Sequence, residues 1–550
     1  MKHNIIISVS VLLAVIITVS CKKDLNVNNP NQPGTEAAST EDGLISLAQG
    51  TTYLNGFNYL KYSDGGLGAT FYTGVIGIHE LLGDVVTSDY ANVYMNQIGC
   101  PDAITLDNSS VLLNPNSPPI QKDFLRQVNF NVYQGNNPGY YEWSFMYNLI
   151  HACNRIILHS EAVTFSGNAE TKKNTLKAWC YWWKGFAYAR IGSMYYAGLI
   201  NDYGGEITND NTGTNGNYVS HDAIIAESDK QLDLAISTLN SLSADENYQS
   251  VMNGLIPAIF LVGKGGILTP DMWIRNINTL KARNILANKR TNVMTSEEWN
   301  SILSLTDNGV LTDDFVFTAR SDDNGDFMTP TDGNLPAKTI STNAGDNIYK
   351  VSERLIQEYS PGDQRLANNF AETATFYGGS DRGTSFNTRY TMLNGGNGLP
   401  GVIILGSQST GEYELYMAST YEENELMKAE AKINTSDVEG GLAIIDDLRN
   451  QQGAGLAPLA GNGLSPAQAR EELRRERRVE LAFRGLSFYD ARRWGVIYDG
   501  RTGCIVIDQD GTINTDATIN YGFLDYWDVP DNELAYNPAS SGSAPVKNPE

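Results

Sequence analysis

Between Arg474 and Gly495 the chain interleaves arginine, glutamate and large apolar residues at helical spacing, in a sequence otherwise poor in arginine. Val479, Ala482, Phe483 and Leu486 fall at steps of three, one and three, which makes one apolar stripe that has to be buried. Glu471 and Arg475 are spaced for an i,i+4 pair, and Arg477 and Glu480 for an i,i+3 pair. Gly485 permits a tight break before a short second helical turn that ends in Trp494. An ordinary salt-bridged helix accounts for this segment taken alone. A nucleic-acid-binding helix does not, because the arginines alternate with glutamates and the whole chain carries a net charge of −24, which repels phosphate backbones.

The N-terminus reads as a targeting segment. Met1-Lys2-His3 is a positive start, and Ile5 to Val19 is apolar except for Ser8, Ser10 and Thr18. A run of about fifteen residues is short for a membrane span, which needs about twenty, and fits a secretory signal. Ser20 before Cys21 resembles a bacterial lipobox, with Thr18 where such boxes usually carry Leu. Residues 1–20 are therefore expected to be a lipoprotein signal peptide, with Cys21 as the lipidated residue. Lys22-Lys23-Asp24 resembles the charged tag of surface-exposed lipoproteins. The Asn-, Pro- and Ser/Thr-rich segment up to residue 40 reads as an extended tether. No later window is apolar enough to span a bilayer, so the body is expected to be anchored by lipid alone.

With 550 residues and 41% hydrophobic content there is ample material for a large core. Cys100, Cys153, Cys180 and Cys504 form no CxxC pair, and Cys153 and Cys180 sit in helical patterns as small buried hydrophobes. One disulfide among the four is left open. Helical patterns cover 36–52, 140–160, 170–199, 222–241, 271–289, 411–433, 437–451 and 465–483. Between them, residues 200–220, 304–348 and 372–410 are rich in Gly, Asn, Asp and Thr, with short apolar runs at Phe315-Val316-Phe317 and Val402-Ile403-Ile404-Leu405. These read as loop excursions with a few short strands. The expected fold is mainly α, one domain over 41–550, with paired helices that suggest tetratricopeptide-like units although no strict 34-residue period is visible.

The string from Glu476 to Gly485, continued by Phe488-Tyr489-Asp490-Ala491-Arg492-Arg493-Trp494-Gly495, resembles the C-terminal signature of the SusD/RagB family. Four earlier segments resemble family elements in order: Tyr141 to Asn154, Ala178 to Tyr188, Leu280 to Arg283 after Trp273, and Val351 to Arg365. A fifth is Glu425 to Ala431 with Leu448-Arg449. The resemblance implies a SusD-like α-helical scaffold and a lipoprotein at the surface of the outer membrane, anchored by its lipid. It also implies capture of a nutrient for a SusC-like TonB-dependent outer-membrane transporter, with no bond broken. An oligo- or polysaccharide is the expected cargo; peptides or glycoproteins are the alternative on the same fold. The family's ligand loop corresponds here to Asp84 through Gln97. Within it Tyr90 and Tyr94 are placed to stack on sugar rings, and Asp84, Asp89, Asn92 and Asn96 to bond hydroxyls. Trp273 is a further candidate. Stacking suits glycans because sugars present apolar C–H faces, and the chain holds 29 Tyr and 8 Trp.

Enzyme motifs fail by comparison. His79-Glu80-Leu81-Leu82-Gly83 begins like a zinc-protease HExxH, but Gly83 stands where the second metal-binding His belongs, so core packing is the better reading. No nucleophile elbow, phosphate-binding loop or dinucleotide fingerprint appears in a sensible context. Among 63 acidic residues no hydrolytic carboxylate pair stands out, which leaves a lipid-anchored glycoside hydrolase as a minor alternative. No cofactor is expected. Asp322 to Asp326 and Asp508 to Gly511 have the flavour of loose Ca²⁺ loops but lack the first and twelfth ligands of an EF-hand, and plain Asx turns are the better reading.

Overall fold

Most of the longer helices start where a short polar side chain precedes an apolar-periodic run, which is what a helix needs to satisfy its first free N–H groups. Asn137 accepts the Gly139 N–H at 3.0 Å, with Pro138 in the first turn. Asn168, Ser220, Thr269, Thr420 and Asp437 cap in the same way. Thr295 with Glu298 and Ser465 with Gln468 form reciprocal capping boxes. The computed structural model describes residues 37–55, 74–88, 94–130, 132, 137–205, 213–320, 339–340, 349–376, 387–399 and 414–550. Cys21, Asp89, Tyr90, Asn92, the 322–326 loop and the 402–405 run lie outside these residues.

The principal helices are α1 (Glu41–Gly50), α2 (Ile76–Leu82), α3 (Pro138–Ser160), α4 (Ala169–Met194), α5 (His221–Leu239), α6 (Glu246–Leu255), α7 (Pro270–Ala287), α8 (Ser296–Thr306), α9 (Tyr421–Asn434), α10 (Val438–Gln451), α11 (Pro466–Glu480) and α12 (Ser487–Arg493). They pack as neighbouring pairs, α3 with α4, α4 with α5, α8 with α9 and α9 with α10. No helix among the described residues is long and apolar enough to cross a membrane.

Three expected helices have different ends, each for a tertiary reason. The one expected over 170–199 stops at Met194, because Tyr195 turns extended and the next residue donates its N–H to Trp527 O at 2.8 Å. Ala197–Leu199 then pairs as a strand with Tyr218–Ser220. The helix expected over 411–433 begins only at Tyr421, after a strand at Leu415–Tyr416. The one expected over 465–483 ends at Glu480, and Phe483 is left-handed at φ 64°. Glu80 takes the amides of Phe483 (3.1 Å) and Gly485 (2.6 Å), which draws the chain out of the helix.

Helices α6 and α8 and the largest sheet are absent from the sequence expectation. That sheet joins the two ends of the chain. β1 (Ala103–Thr105) and β2 (Val111–Leu113) pair with each other, and β1 also pairs with β4 (Ile513–Asn520), which closes a hairpin with β3 (Arg501–Ile507). All pairs are antiparallel, and Ile104, Cys504, Val506, Ala517 and Ile519 form its buried face.

One contiguous hydrophobic core runs from Ala38 to Val529, with a small satellite between α7, α8 and α9. At its centre α4 presents Trp179, Trp182, Trp183 and Phe186 to Phe317 and Trp273. Trp179 meets Phe317 at 5.5 Å and 87°, and Trp182 meets Trp183 at 4.6 Å and 86°, the edge-to-face geometry that ring quadrupoles favour. The apolar run at 315–317 is thus partly a core plug. Trp273 is 0% exposed and meets Phe317 at 5.4 Å, so it is a core residue and not the stacking platform expected above. All four described cysteines are buried, and none of them forms a disulfide. Trp273→Ala should therefore cost about 3–5 kcal/mol of unfolding free energy in urea. An unchanged midpoint would place that indole outside the core.

Candidate functional site

The arginines of α11 and α12 do not make the particular pairs their spacing suggests, and several bridge to other elements besides an i,i+3 partner on their own helix. Arg475 approaches Glu472 at 3.8 Å, not Glu471, and Arg477 reaches Asp490 of α12 at 3.1 Å, not Glu480. The others reach further. Arg474 forks onto Glu358 (2.9 and 2.8 Å), and Arg478 donates to the carbonyls of Gly83 and Asp84 (2.8 and 2.9 Å). Arg493 lies between Glu430 of α9 (2.5 Å) and Asp490 (2.6 Å). Arg365 binds Glu476 (2.6 Å) and Asp363 (2.8 Å), and Arg449 of α10 binds the same Glu476 (2.7 Å). Family-like segments scattered along the sequence thus meet in one buried ionic lattice. Burial works against the charge of Asp490 and Glu476, yet the facing guanidiniums hold both carboxyls below the ordinary range.

A second centre forms where α2 abuts α12. Gly83 is the contact point: a Cβ there would collide with the Ser487 side chain, which explains a small residue at that position. His79 Nε2 lies 2.8 Å from Glu142, whose other oxygen is held by Arg190. The HExxH-like start is therefore core packing, as its sequence suggests. Among the described residues no group of three His, Cys, Asp or Glu is arranged to hold a metal ion. Burial pushes Glu80 up to about 7 despite its two backbone donors. Next to it Asp84, left-handed at φ 56°, accepts a bidentate fork from Arg354 (3.0 and 2.9 Å), with Ser352 at 2.7 Å and Tyr521 at 2.5 Å. Burial alone would raise the Asp84 pKa; the Arg354 fork outweighs it and holds the carboxyl at about 2. Two-residue strands, Val86–Thr87 and Lys350–Val351, pair alongside.

The expected ligand residues that are described have different surroundings. Asp84 is buried and saturated by Arg354, so it anchors the loop's first residue and offers nothing to a hydroxyl. Asn96 is buried in a short helix, Met95–Ile98. Tyr94, left-handed at φ 61° and half-buried, sets its ring edge-on to Phe124 at 6.0 Å. Asp89, Tyr90 and Asn92 fall outside the described residues, as does Cys21. At Asp508, backbone amides of Asp510 (3.2 Å) and Thr512 (3.0 Å) close an ordinary Asx turn at the tip of the β3–β4 hairpin. Sequence reasoning missed an open cavity of about 460 Å³ beside the arginine lattice, lined in part by Arg290, Arg470 and Trp494. Trp494, one aromatic following two arginines, was the available signal.

Residues 318–541 match the model of the SusD family. No curated protein sequence matches the chain. Among solved structures, a SusD-like carbohydrate-binding protein from Bacteroides fragilis aligns at 16% identity and TM-score 0.58, over 92% of this chain and 99% of its own. A structure solved with xylogluco-oligosaccharide aligns at 14% identity and TM-score 0.55, over 92% and 100%. Surface glycan-binding protein A from Bacteroides thetaiotaomicron aligns at 13% identity and TM-score 0.51, over 93% and 100%. At these identities the likeness is one of fold.

The family-matched segment contains Arg354 but not Asp84, its counter-ion, so the two can be tested as a link between the matched and unmatched parts. A carboxyl held at about 2 instead of 3.8 contributes about 2 kcal/mol of stability. That contribution is fully present above pH 4 and is lost as the pH falls through 2. Asp84→Asn should lower unfolding free energy at pH 7 by about 3–5 kcal/mol, because Arg354 is left buried without a charge partner. It should also flatten the fall between pH 4 and pH 2 relative to the parent chain. Parallel pH curves for the two proteins would refute the pairing.

Proposed function

We propose, from the match of residues 318–541 to the SusD family model and from the SusD-like fold, that the chain captures an oligo- or polysaccharide and passes it to a transporter. The partner is a SusC-like TonB-dependent transporter of the outer membrane, and no bond is broken in the transfer. The protein is held at the cell surface by lipid on Cys21, and residues 41–550 act as one domain. The observation that carries this reading is the family match, together with a fold likeness spanning nine-tenths of the chain. The helix pairs supply a broad, stiff surface suited to docking. Firm anchors flank the candidate loop: Asp84 is locked by Arg354 on one side, and the Met95–Ile98 helix stands on the other.

Capture of this kind needs aromatic platforms and amide or carboxylate partners around a sugar, but no activated nucleophile. Tyr90 and Tyr94 remain the platforms of choice, with Asp89 and Asn92 to bond hydroxyls.

Calorimetric titration of the full chain against neutral oligosaccharides, acidic oligosaccharides and peptides, with product analysis of each mixture, tests the reading. Saturable binding of a glycan without cleavage is expected. Tyr90→Ala and Tyr94→Ala should each weaken it about tenfold, or ~1.4 kcal/mol. Peptide binding alone would replace the cargo, and cleavage products would sink the capture-only mechanism. Cys21→Ala should move the protein from the membrane fraction to the soluble fraction; retention on the membrane would remove the lipid anchor from the account.

A further inference from the structure

Most arginines of the α11–α12 region are saturated by carboxylates or carbonyls, as expected in a chain with 63 acidic against 39 basic residues. Two neighbours are not. Arg290 follows α7, and its Nε is buried with no hydrogen-bond acceptor. Its Nη2 stands 3.6 Å from Asp499, a side chain 79% exposed, and its guanidinium lies over the Tyr498 ring at 4.6 Å, which fixes its plane. Arg470, exposed on α11, makes one long hydrogen bond, 3.4 Å to Asn434. Both line the cavity of about 460 Å³, within the size range of small-molecule sites, about 300–1,000 Å³.

The rest of the wall is equally specific. Arg493 contributes to it, but its charge is spent on Glu430 and Asp490. The half-buried Trp494 adds an indole ring whose one face is covered by the Arg493 guanidinium at 4.3 Å. Thr291, Asn292 and Asn434 add a hydroxyl and two amides. Planar guanidinium forks match carboxylates, an indole matches the apolar face of a ring, and amides match hydroxyls. We propose that the cavity between Arg290, Arg470 and Trp494 binds a sugar carrying a carboxylate, with the two guanidiniums on the acid group.

The overall negative charge does not oppose this. The Debye length is about 8 Å at physiological ionic strength, so a ligand in the cavity feels chiefly the charges that line it. Asp499 is the one acid among them; it is solvated and holds Arg290 loosely, so a ligand carboxylate can take its place at shorter range. The inference stands on the cavity's own donors and not on the glycan-capture reading.

Titration of the full chain with sodium glucuronate, glucose and inorganic sulfate tests it. Glucuronate should saturate one site at least tenfold more tightly than either comparator, and raising NaCl to 0.5 M should weaken it severalfold. Arg290→Gln and Arg470→Gln should each weaken glucuronate at least fivefold, with the thermal midpoint of the exposed Arg470→Gln variant unchanged. Both variants should keep neutral-oligosaccharide binding, so a failure here is distinct from a failure of the capture reading. Glucose binding as tightly as glucuronate, sulfate binding as tightly as glucuronate, or unchanged glucuronate affinity in Arg470→Gln would each overturn the proposal.

Discussion

Arg493 sits between Glu430 and Asp490 with almost no contact with solvent. A guanidinium cannot give up its proton at any ordinary pH, so burying one commits the fold to keeping its carboxylates in place. Glu430 belongs to α9 and Asp490 to α12, and Asp490 also holds Arg477 of α11. Three helices are therefore fixed relative to one another by a single charge cluster. Through Glu476, Arg449 and Arg365 the same logic extends to α10 and to the segment before it. Such a lattice contributes little net stability over an apolar equivalent, because desolvation offsets most of the attraction. What it does is make misplacement expensive: a slipped helix leaves an ion unpaired in the interior.

The aromatic cluster around Trp179 and Phe317 does the complementary task. It supplies the apolar burial that ordering so long a chain requires. Helix α7 joins the two regions. Trp273 near its start enters the cluster, while Arg283 further along pairs with Glu423 of α9 at 2.5 Å. The open cavity lies just past the end of α7, where the lattice meets solvent and its arginines cease to be saturated.

Helix positions were largely legible because periodicity is local, and the caps seen in the structure, Asn137 with Pro138 or Ser465 with Gln468, lie within four residues of the runs they start. The ends that differ were decided at a distance, by Glu80 on Phe483 and by Trp527 on Tyr196. The β3–β4 hairpin escaped notice because its alternation is interrupted by glycines and aspartates, and its partner strand lies near the other end of the chain. Arg477 and Glu480 have the spacing of a pair, yet Asp490 wins because the chain turns back at Gly485. Of the ligand residues, Asp84 and Trp273 carry the right chemistry in the wrong surroundings. Sequence gives residue type and order, while exposure is settled by packing.

The Gly485 amide reaches Glu80 across 405 residues of sequence. Asp84 likewise waits for Tyr521, and β1 for β4. An N-terminal fragment therefore lacks Arg354 for its buried Asp84, and further on lacks the Phe483 and Gly485 amides for Glu80 and the strand that closes its sheet. Contacts of such range carry a loop-closure penalty before they return any stability. The surroundings of Glu80 and the edge of the sheet are thus closed only by the C-terminal segments, and a chain cut short of residue 483 leaves both open.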